Sequence, residues 1–290
     1  MLIYDLINFC NNNYTTEQCG GCTSITACTH TCNGNCKECL DDIHFHRNER
    51  RCAYNCERLL DYYVCRYSYK YCSEIIYALQ ELDLSHFPYF NILSLGCGGA
   101  PDLMAFQYMN YPQRISYFGL DKNTYWERIH DFIINDYPEQ KVQFVRDIDV
   151  LNYFDGINFL RCNVIVIQYL ISFFFSQVGE RGIREWFAKL ANKVVTNKPE
   201  NSPMLILIND VDSIHTGRDA FPILIEEIQR AGLSVTTQLR KRFKEDAYYA
   251  NSQQYPTNRN IFNSSIGYDF AGYYCVARTC ESAQLILEVD

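Results

Sequence analysis

Beyond residue 83 the apolar positions fall into short runs separated by longer amphipathic stretches. "FNILSLG", "RISYFGLD", "KVQFVRD", "NVIVIQYL" and "PMLILIND" are rich in β-branched and aromatic residues and read as strands. Between them "APDLMAFQYMN", "TYWERIHDFIINDY", "ERGIREWFAKLANKVV" and "AFPILIEEIQRAG" read as helices, and "SVTTQLRKRF" and "GYYCVART" as two closing strands. This alternation predicts an α/β architecture: a doubly wound, Rossmann-like, mostly parallel sheet of seven strands with helices on both faces. Before residue 83 the texture changes. Cys-rich loops with Asn, Thr and Gly give way to "NERRCAYNCERLLDYYVCRYSYKYCSEIIYALQEL", which has no Gly or Pro and is long enough for one or two helices. The expected organisation is a small Cys-rich, metal-binding and helical module at 1–83, followed by the sheet domain at 84–290.

Composition adds limits to that picture. The chain has 290 residues, 48% of them hydrophobic, enough for a sizeable core. A formal net charge of −8 argues against a polyanion binder by bulk charge and leaves only local basic patches. "MLIYDLINFCNNN" carries no basic start and no small-residue cleavage site, and "NVIVIQYLISFFF" is too short and interrupted to span a bilayer. The expectation is a soluble, cytoplasmic protein.

The first strand runs into "LGCGGAPDL", where Gly96 and Gly98 permit a tight turn and close approach of backbone to a ligand. The following helix offers free N–H groups. In a doubly wound sheet this is the edge where ligands bind. Asp121 follows 25 residues after Gly96 at the end of the second strand, suited to ribose hydroxyls, and Asp147 ends the third, where it would meet an adenine amino group. Pro101 stands where a dinucleotide fingerprint would want its third glycine, which argues against a pyrophosphate on the helix.

"ILSLGCGGAPDL", "YFGLDKN", "FVRDIDV" and "CNVIVIQYLISFF", in that order and spacing, resemble the class I S-adenosylmethionine-dependent methyltransferases over about residues 84 to 290. The resemblance implies a seven-stranded methyltransferase sheet closed by an antiparallel hairpin. It implies a cofactor site in which Gly96, Cys97 and Gly98 line the methionine and ribose part, Asp121 binds the ribose, Asp147 and Ile148 the adenine, and Gln168 sits by the methyl group. The chain departs from the family at Ser94, where an acid is usual, and at Ala100, where glycine is frequent. Methyl transfer itself demands little of the protein beyond holding donor and acceptor in line. Gln168, Tyr169, Asn209 and Asp210 are the candidates near the reacting atoms, and strand-end capping is an equal reading of the last two.

Eleven of the 15 cysteines lie between Cys10 and Cys72. Cys19-x2-Cys22 and Cys36-x2-Cys39 have the spacing of a zinc ribbon, and Cys28, Cys32, Cys52 and Cys56 complete a set of eight expected ligands. His30, His44 and His46 are possible replacements. Cys32-x3-Cys36-x2-Cys39 also has the spacing of a four-iron cluster in radical enzymes, which makes an iron–sulfur cluster the alternative to zinc. "HRNERR" and "LRKRFK" are small basic runs, but residues 1 to 83 hold 7 Lys and Arg against 11 Asp and Glu. The expected activity is methyl transfer to a macromolecule, RNA or protein, or to another acceptor. The rival readings are a non-catalytic binding or assembly factor on the same fold, and an iron–sulfur protein.

Overall fold

The structure, a computed structural model, describes residues 1–16, 36–45, 54–138, 141–157, 160–197, 203–213, 217–244, 251–263 and 276–290. Its centre is one mixed sheet built from β1 (Tyr89–Leu95), β2 (Arg114–Leu120), β3 (Lys141–Val145), β4 (Val164–Gln168), β5 (Met204–Val211), β6 (Val235–Arg242), β7 (Gln253–Gln254) and β8 (Ser282–Val289). Their order is β3-β2-β1-β4-β5-β8-β6-β7. The five strands from β3 to β5 are parallel, and β8 inserts antiparallel to both β5 and β6. The order reverses between β1 and β4, which is where doubly wound sheets open a crevice at the carboxyl ends of their strands.

Strict alternation divides the two faces. Phe90 and Ile92 of β1, Val164 and Val166 of β4, Leu205 and Leu207 of β5 and Ile286 of β8 point to one core. Leu93, Leu95, Ile165, Ile167, Ile206, Ile208, Leu285 and Leu287 point to the other. The second face is covered by α6 (Val150–Gly156), α7 (Ile171–Asn197) and α8 (Phe221–Arg230). In α7 two helical segments meet at Gly179, whose φ of +64° breaks the turn.

The first face is covered by α4 (Pro101–Met109) and α5 (Glu127–Asp136), and also by α1 (Leu2–Thr16), α2 (Cys36–Phe45) and α3 (Glu57–Gln80). Residues on both sides of position 83 therefore share one hydrophobic core, running from Leu2 through Leu60 and Ile76 to Phe106 and Ile286. At 1.5 Å per residue, the 24 residues of α3 span roughly 36 Å, enough to cross most of the sheet. Its early turns meet α5, with Asp61 against Arg128, and its last turns reach Phe243 and Tyr255 beside β6.

Two expectations need correction. The sheet has eight strands, not seven, because Gln253–Gln254 adds a short edge strand to β6. The closing strand is Ser282–Val289, not "GYYCVART": the first part of that segment lies outside the described residues, and in the rest Thr279 makes only an isolated bridge to Arg259. The reason is burial. β8 lies between β5 and β6 and is buried at every position, so its sequence reads as a continuous run, not the alternation of an edge strand.

Candidate functional site

Four strand ends meet at the carboxyl edge around the β1–β4 reversal. After β1 the chain turns through Gly96 (φ +70°), Gly98 (φ +49°) and Ala100 (φ +55°). Left-handed backbone costs a residue with a Cβ roughly 1–2 kcal/mol, so the glycines turn freely and Ala100 does not. Asp147 (φ +62°) and Tyr169 (φ +53°) bend the chain after β3 and β4 in the same way. Three of the five described non-glycine residues with positive φ thus fall on one edge. Strain of this kind gathers at functional sites and persists where the surroundings hold it.

The holding contacts are on hand. Gly96 and Cys97 both donate their N–H to the carbonyl of Leu120, at 2.8 and 3.0 Å. Gly98 N–H donates to Asp121 Oδ2 at 2.9 Å, and Asn123 N–H donates to Asp121 Oδ1 at 2.8 Å. Burial pushes the half-buried Asp121 carboxyl above the usual range, against the pull of those backbone donors. On the far side of Gly98 the buried His130 imidazole lies parallel to Phe144 at 3.9 Å between ring centroids, and its Nε2 is 2.8 Å from the Gly98 carbonyl. Trp126 closes over the loop: a Cβ added to Gly98 would lie 3.5 Å from its ring.

Beneath the loop, Asp102 in the first turn of α4 is buried, accepts from Tyr117 Oη at 3.0 Å and bonds Ser94. An acid thus adjoins Ser94 at the end of β1, contributed by the helix instead of the strand. Burial drives its carboxyl up and the Ser94 and Tyr117 hydroxyls pull it back.

The candidates near the reacting atoms differ in what they have left to offer. Gln168 Nε2 donates to the Tyr71 carbonyl at 2.9 Å, while its Oε1 is buried without a partner among the described residues. Tyr169 Oη donates to both carboxylate oxygens of Glu74, at 3.1 and 2.9 Å. Asn209 is buried, donating Nδ2 to Glu74 Oε2 at 2.8 Å and accepting from Gln284 Nε2 at 3.2 Å. Asp210 is spent on structure: Oδ2 accepts from the N–H groups of Ile171 and Ser172 at the start of α7, and Oδ1 from Val211 N–H. Ile148 is half-buried beside Asp121, its N–H donating to the Asp121 carbonyl at 3.1 Å, and Asp147 is exposed.

The roof comes from α3, which sequence reasoning assigned to the other module. Tyr63, Tyr67 and Tyr71 recur at helical spacing with ring centroids 5.2 and 5.3 Å apart. Tyr71 continues to Tyr169 at 4.5 Å, and Tyr63 reaches Trp126 at 6.0 Å. Burial raises the Tyr63, Tyr71 and Tyr169 phenols, so the wall stays neutral at ordinary pH. Behind it lies a polar knot. Glu74, fully buried, also accepts the N–H of Glu281 at 3.0 Å, and Lys70 pairs with Glu281 at 3.3 Å while lying over the Tyr71 and Tyr169 rings. Burial opposes the Lys70 charge, but Glu74 and Glu281 hold its pKa above the ordinary lysine value.

Glu74, the tyrosine stripe, Trp126 and His130 escaped the sequence reading. Two signals were present. Glu74 is the lone acid in "YCSEIIYAL", a stretch otherwise apolar enough to be buried. Trp126, His130 and Ile133 share one helical face.

Of the eight expected metal ligands, Cys19, Cys22, Cys28, Cys32 and Cys52 lie outside the described residues, as do His30 and His46. Cys36 is buried in the core near Leu40, and Cys39 and Cys56 are half-buried; none of the three forms a disulfide among the described residues. Among the described residues no group of three or more His, Cys, Asp or Glu converges as a metal site. "HRNERR" lies outside the described residues, and Lys241 of "LRKRFK" is buried against Glu81 at 2.7 Å. No described helix is long and apolar enough to cross a membrane.

No protein-family model and no curated protein matches the chain. Solved structures similar to it include a precorrin-6y C5,15-methyltransferase from Geobacter metallireducens, 14% identical over 74% of this chain and 85% of that one, with a TM-score of 0.39. An S-adenosylmethionine-dependent methyltransferase from Leishmania major is 9% identical over 76% of this chain and 72% of its own, with a TM-score of 0.41. Fibrillarin from Aeropyrum pernix, determined with natively bound S-adenosyl-L-methionine, is 10% identical over 76% and 75%, with a TM-score of 0.39. Likenesses this remote decide nothing about activity, so the functional reading rests on the chain's own strand order and loops.

Proposed function

We propose that the strand-end crevice binds S-adenosylmethionine and that the protein transfers its methyl group to a nucleophile presented beneath the tyrosines of α3. One observation supports this above the others: the glycine turn, Asp121, the Asp147–Ile148 pair and Gln168–Tyr169 come from four neighbouring strand ends and converge where the strand order reverses. The half-buried surfaces of Gly96, Gly98, Asp121, Ile148 and Gln168 suit a nucleoside carrying an amino-acid tail.

In this reading Asp121 meets the ribose hydroxyls with the lone pairs that Gly98 and Asn123 leave over. Ile148 packs on the adenine, and the Asp147 carboxylate receives its amino group. The bare Gln168 Oε1 accepts a hydrogen bond from the bound ligands beside the transferring methyl. When bound, the cofactor supplies an electrophilic methyl on a sulfonium, and the protein's tasks are alignment and exclusion of water. The neutral phenols of Tyr63 and Tyr71 line the site without offering a competing nucleophile.

The test is calorimetric titration of S-adenosylmethionine and S-adenosylhomocysteine into the folded chain, wild type and Asp121→Ala. Binding by the wild type and its loss in the variant is the expected result. Absence of binding by folded wild-type protein would overturn the reading. Turnover is then sought with methyl-labelled cofactor against RNA and protein fractions.

A further inference from the structure

We propose that His130 is a positioning residue that fixes the glycine turn in its cofactor-ready form, acting through Gly98 on Asp121; this rests on the cofactor reading above. Gly98 is gripped on both sides. Its N–H donates to Asp121 Oδ2 at 2.9 Å, and its carbonyl lies 2.8 Å from His130 Nε2. A carbonyl only accepts, so Nε2 carries the hydrogen, and Nδ1 is left as a bare acceptor with no partner among the described residues.

That arrangement is costly for a side chain used only as core. His130 is fully buried, stacked on Phe144 at 3.9 Å and 7°, with Trp126 beside it at 6.4 Å. A phenylalanine would fill the same slot without burying an unsatisfied ring nitrogen. What the imidazole adds is the bond to Gly98. Burial lowers its pKa to about 4, with the Arg146 charge in the same direction and the Gly98 bond and Asp131 opposing, so the ring stays neutral and the bond persists at ordinary pH. The nearby Cys97 thiol, 4.0 Å away, is itself held neutral by burial.

The turn needs such a hold. Gly96, Gly98 and Ala100 are all left-handed within five residues, and α4 begins at Ala100 without a side-chain cap. Leu120 and Asp121 grip the N–H groups and the Ala100 N–H holds the Cys97 carbonyl from within the loop, while His130 is the side chain that holds the Gly98 carbonyl from outside it. Releasing it frees Gly98 to rotate, and Asp121 loses its fixed aim at the ribose.

Two variants separate this role from packing. His130→Phe keeps the stack and loses the donor; His130→Gln restores an N–H at about the same reach. Cofactor affinity is measured by calorimetry, and amide hydrogen exchange of residues 96–100 by mass spectrometry, on protein shown to be folded. The expectation is roughly tenfold weaker binding for His130→Phe, as for one lost hydrogen bond. Exchange should accelerate in that variant, and both should return towards wild type in His130→Gln. Equal affinity and exchange in His130→Phe and wild type would overturn the proposal, as would a Gln variant impaired as badly as Phe. If the wild type binds no cofactor, the cofactor reading falls and the role proposed for His130 falls with it, while exchange alone reports whether the loop contact exists.

Discussion

Replacing Glu74 by alanine should be among the most damaging single changes in the chain. The carboxylate is fully buried and takes hydrogen bonds from Tyr169 Oη, Asn209 Nδ2 and Glu281 N–H, all between 2.8 and 3.1 Å. Truncation leaves three donors without their acceptor, the Asn209 amide fully buried and the Tyr169 hydroxyl and Glu281 N–H partly so. Each stranded group costs about 1–3 kcal/mol, and the three cannot all be re-satisfied in the space of one side chain. Because they share one site and relax together, the costs will not add fully. An overall loss of about 3–5 kcal/mol is expected, comparable to breaking a buried ion pair. Glu74→Gln keeps the shape and one acceptor oxygen but turns an N–H2 toward a donor, so about 1–2 kcal/mol should be lost. Urea unfolding followed by circular dichroism reads both values, with the slope confirming that the same surface is exposed. A Glu74→Ala protein within 1 kcal/mol of wild type at unchanged slope, against that ~3–5 expectation, would refute the reasoning that this knot is satisfied and dry.

Other predictions follow from single contacts. Gly119→Ala would put a Cβ 2.8 Å from Cys97 Sγ, 2.8 Å from Phe144 and 2.9 Å from Tyr117, so overpacking of about 1–3 kcal/mol and weaker cofactor binding are expected, read by thermal melting and calorimetry. Arg128→Met leaves buried Asp61 without its guanidinium; since Arg128 is 24% exposed, a loss of about 2–3 kcal/mol is expected on urea unfolding, below that of a fully enclosed pair. His130 stays neutral in the fold to about pH 4, against an ordinary value of 6.5, so the unfolded chain takes up its proton first as pH falls. Its contribution is complete above pH 6.5 and is lost progressively as pH falls to about 4. Urea unfolding from pH 7 to 4 should therefore show wild type losing about 3 kcal/mol more than His130→Phe. The variant comparison is needed because Asp102, Asp121 and Asp210, raised by burial, titrate with the opposite sign.

How much of this was legible in the chain varied with what controls each feature. The strands from β1 to β6 follow local hydrophobic pattern and turn residues, and their ends fall within a residue or two of where the sequence puts them. The glycine turn and its acid are legible for the same reason: the spacing of Gly96, Gly98 and Asp121 is local to one strand–helix–strand unit. The last strand was misread because its neighbours, β5 and β6, are distant in sequence, and only they decide that "SAQLILEV" is central. The roof of the site was missed for a related reason. Tyr63, Tyr71 and Glu74 look like an ordinary helix interior until Tyr169, Asn209 and Glu281 are brought against them from 95 to 207 residues away. The cysteine spacing marks the segment before α3, while the polar groups that reach the site lie along the middle of that helix.

The position of α3 also sets a timetable for synthesis. Glu74 leaves the ribosome 207 residues before Glu281, whose N–H it must accept. At 5–20 residues per second that is a wait of roughly 10–40 s. During it, the apolar faces of α1 and α3 have no β8 to close the sheet behind them. Folding of this chain thus waits on β8 and does not proceed piecewise from the first helix onward. A nascent chain stalled before residue 282 should present an acid and a row of tyrosines to whatever chaperone is nearest.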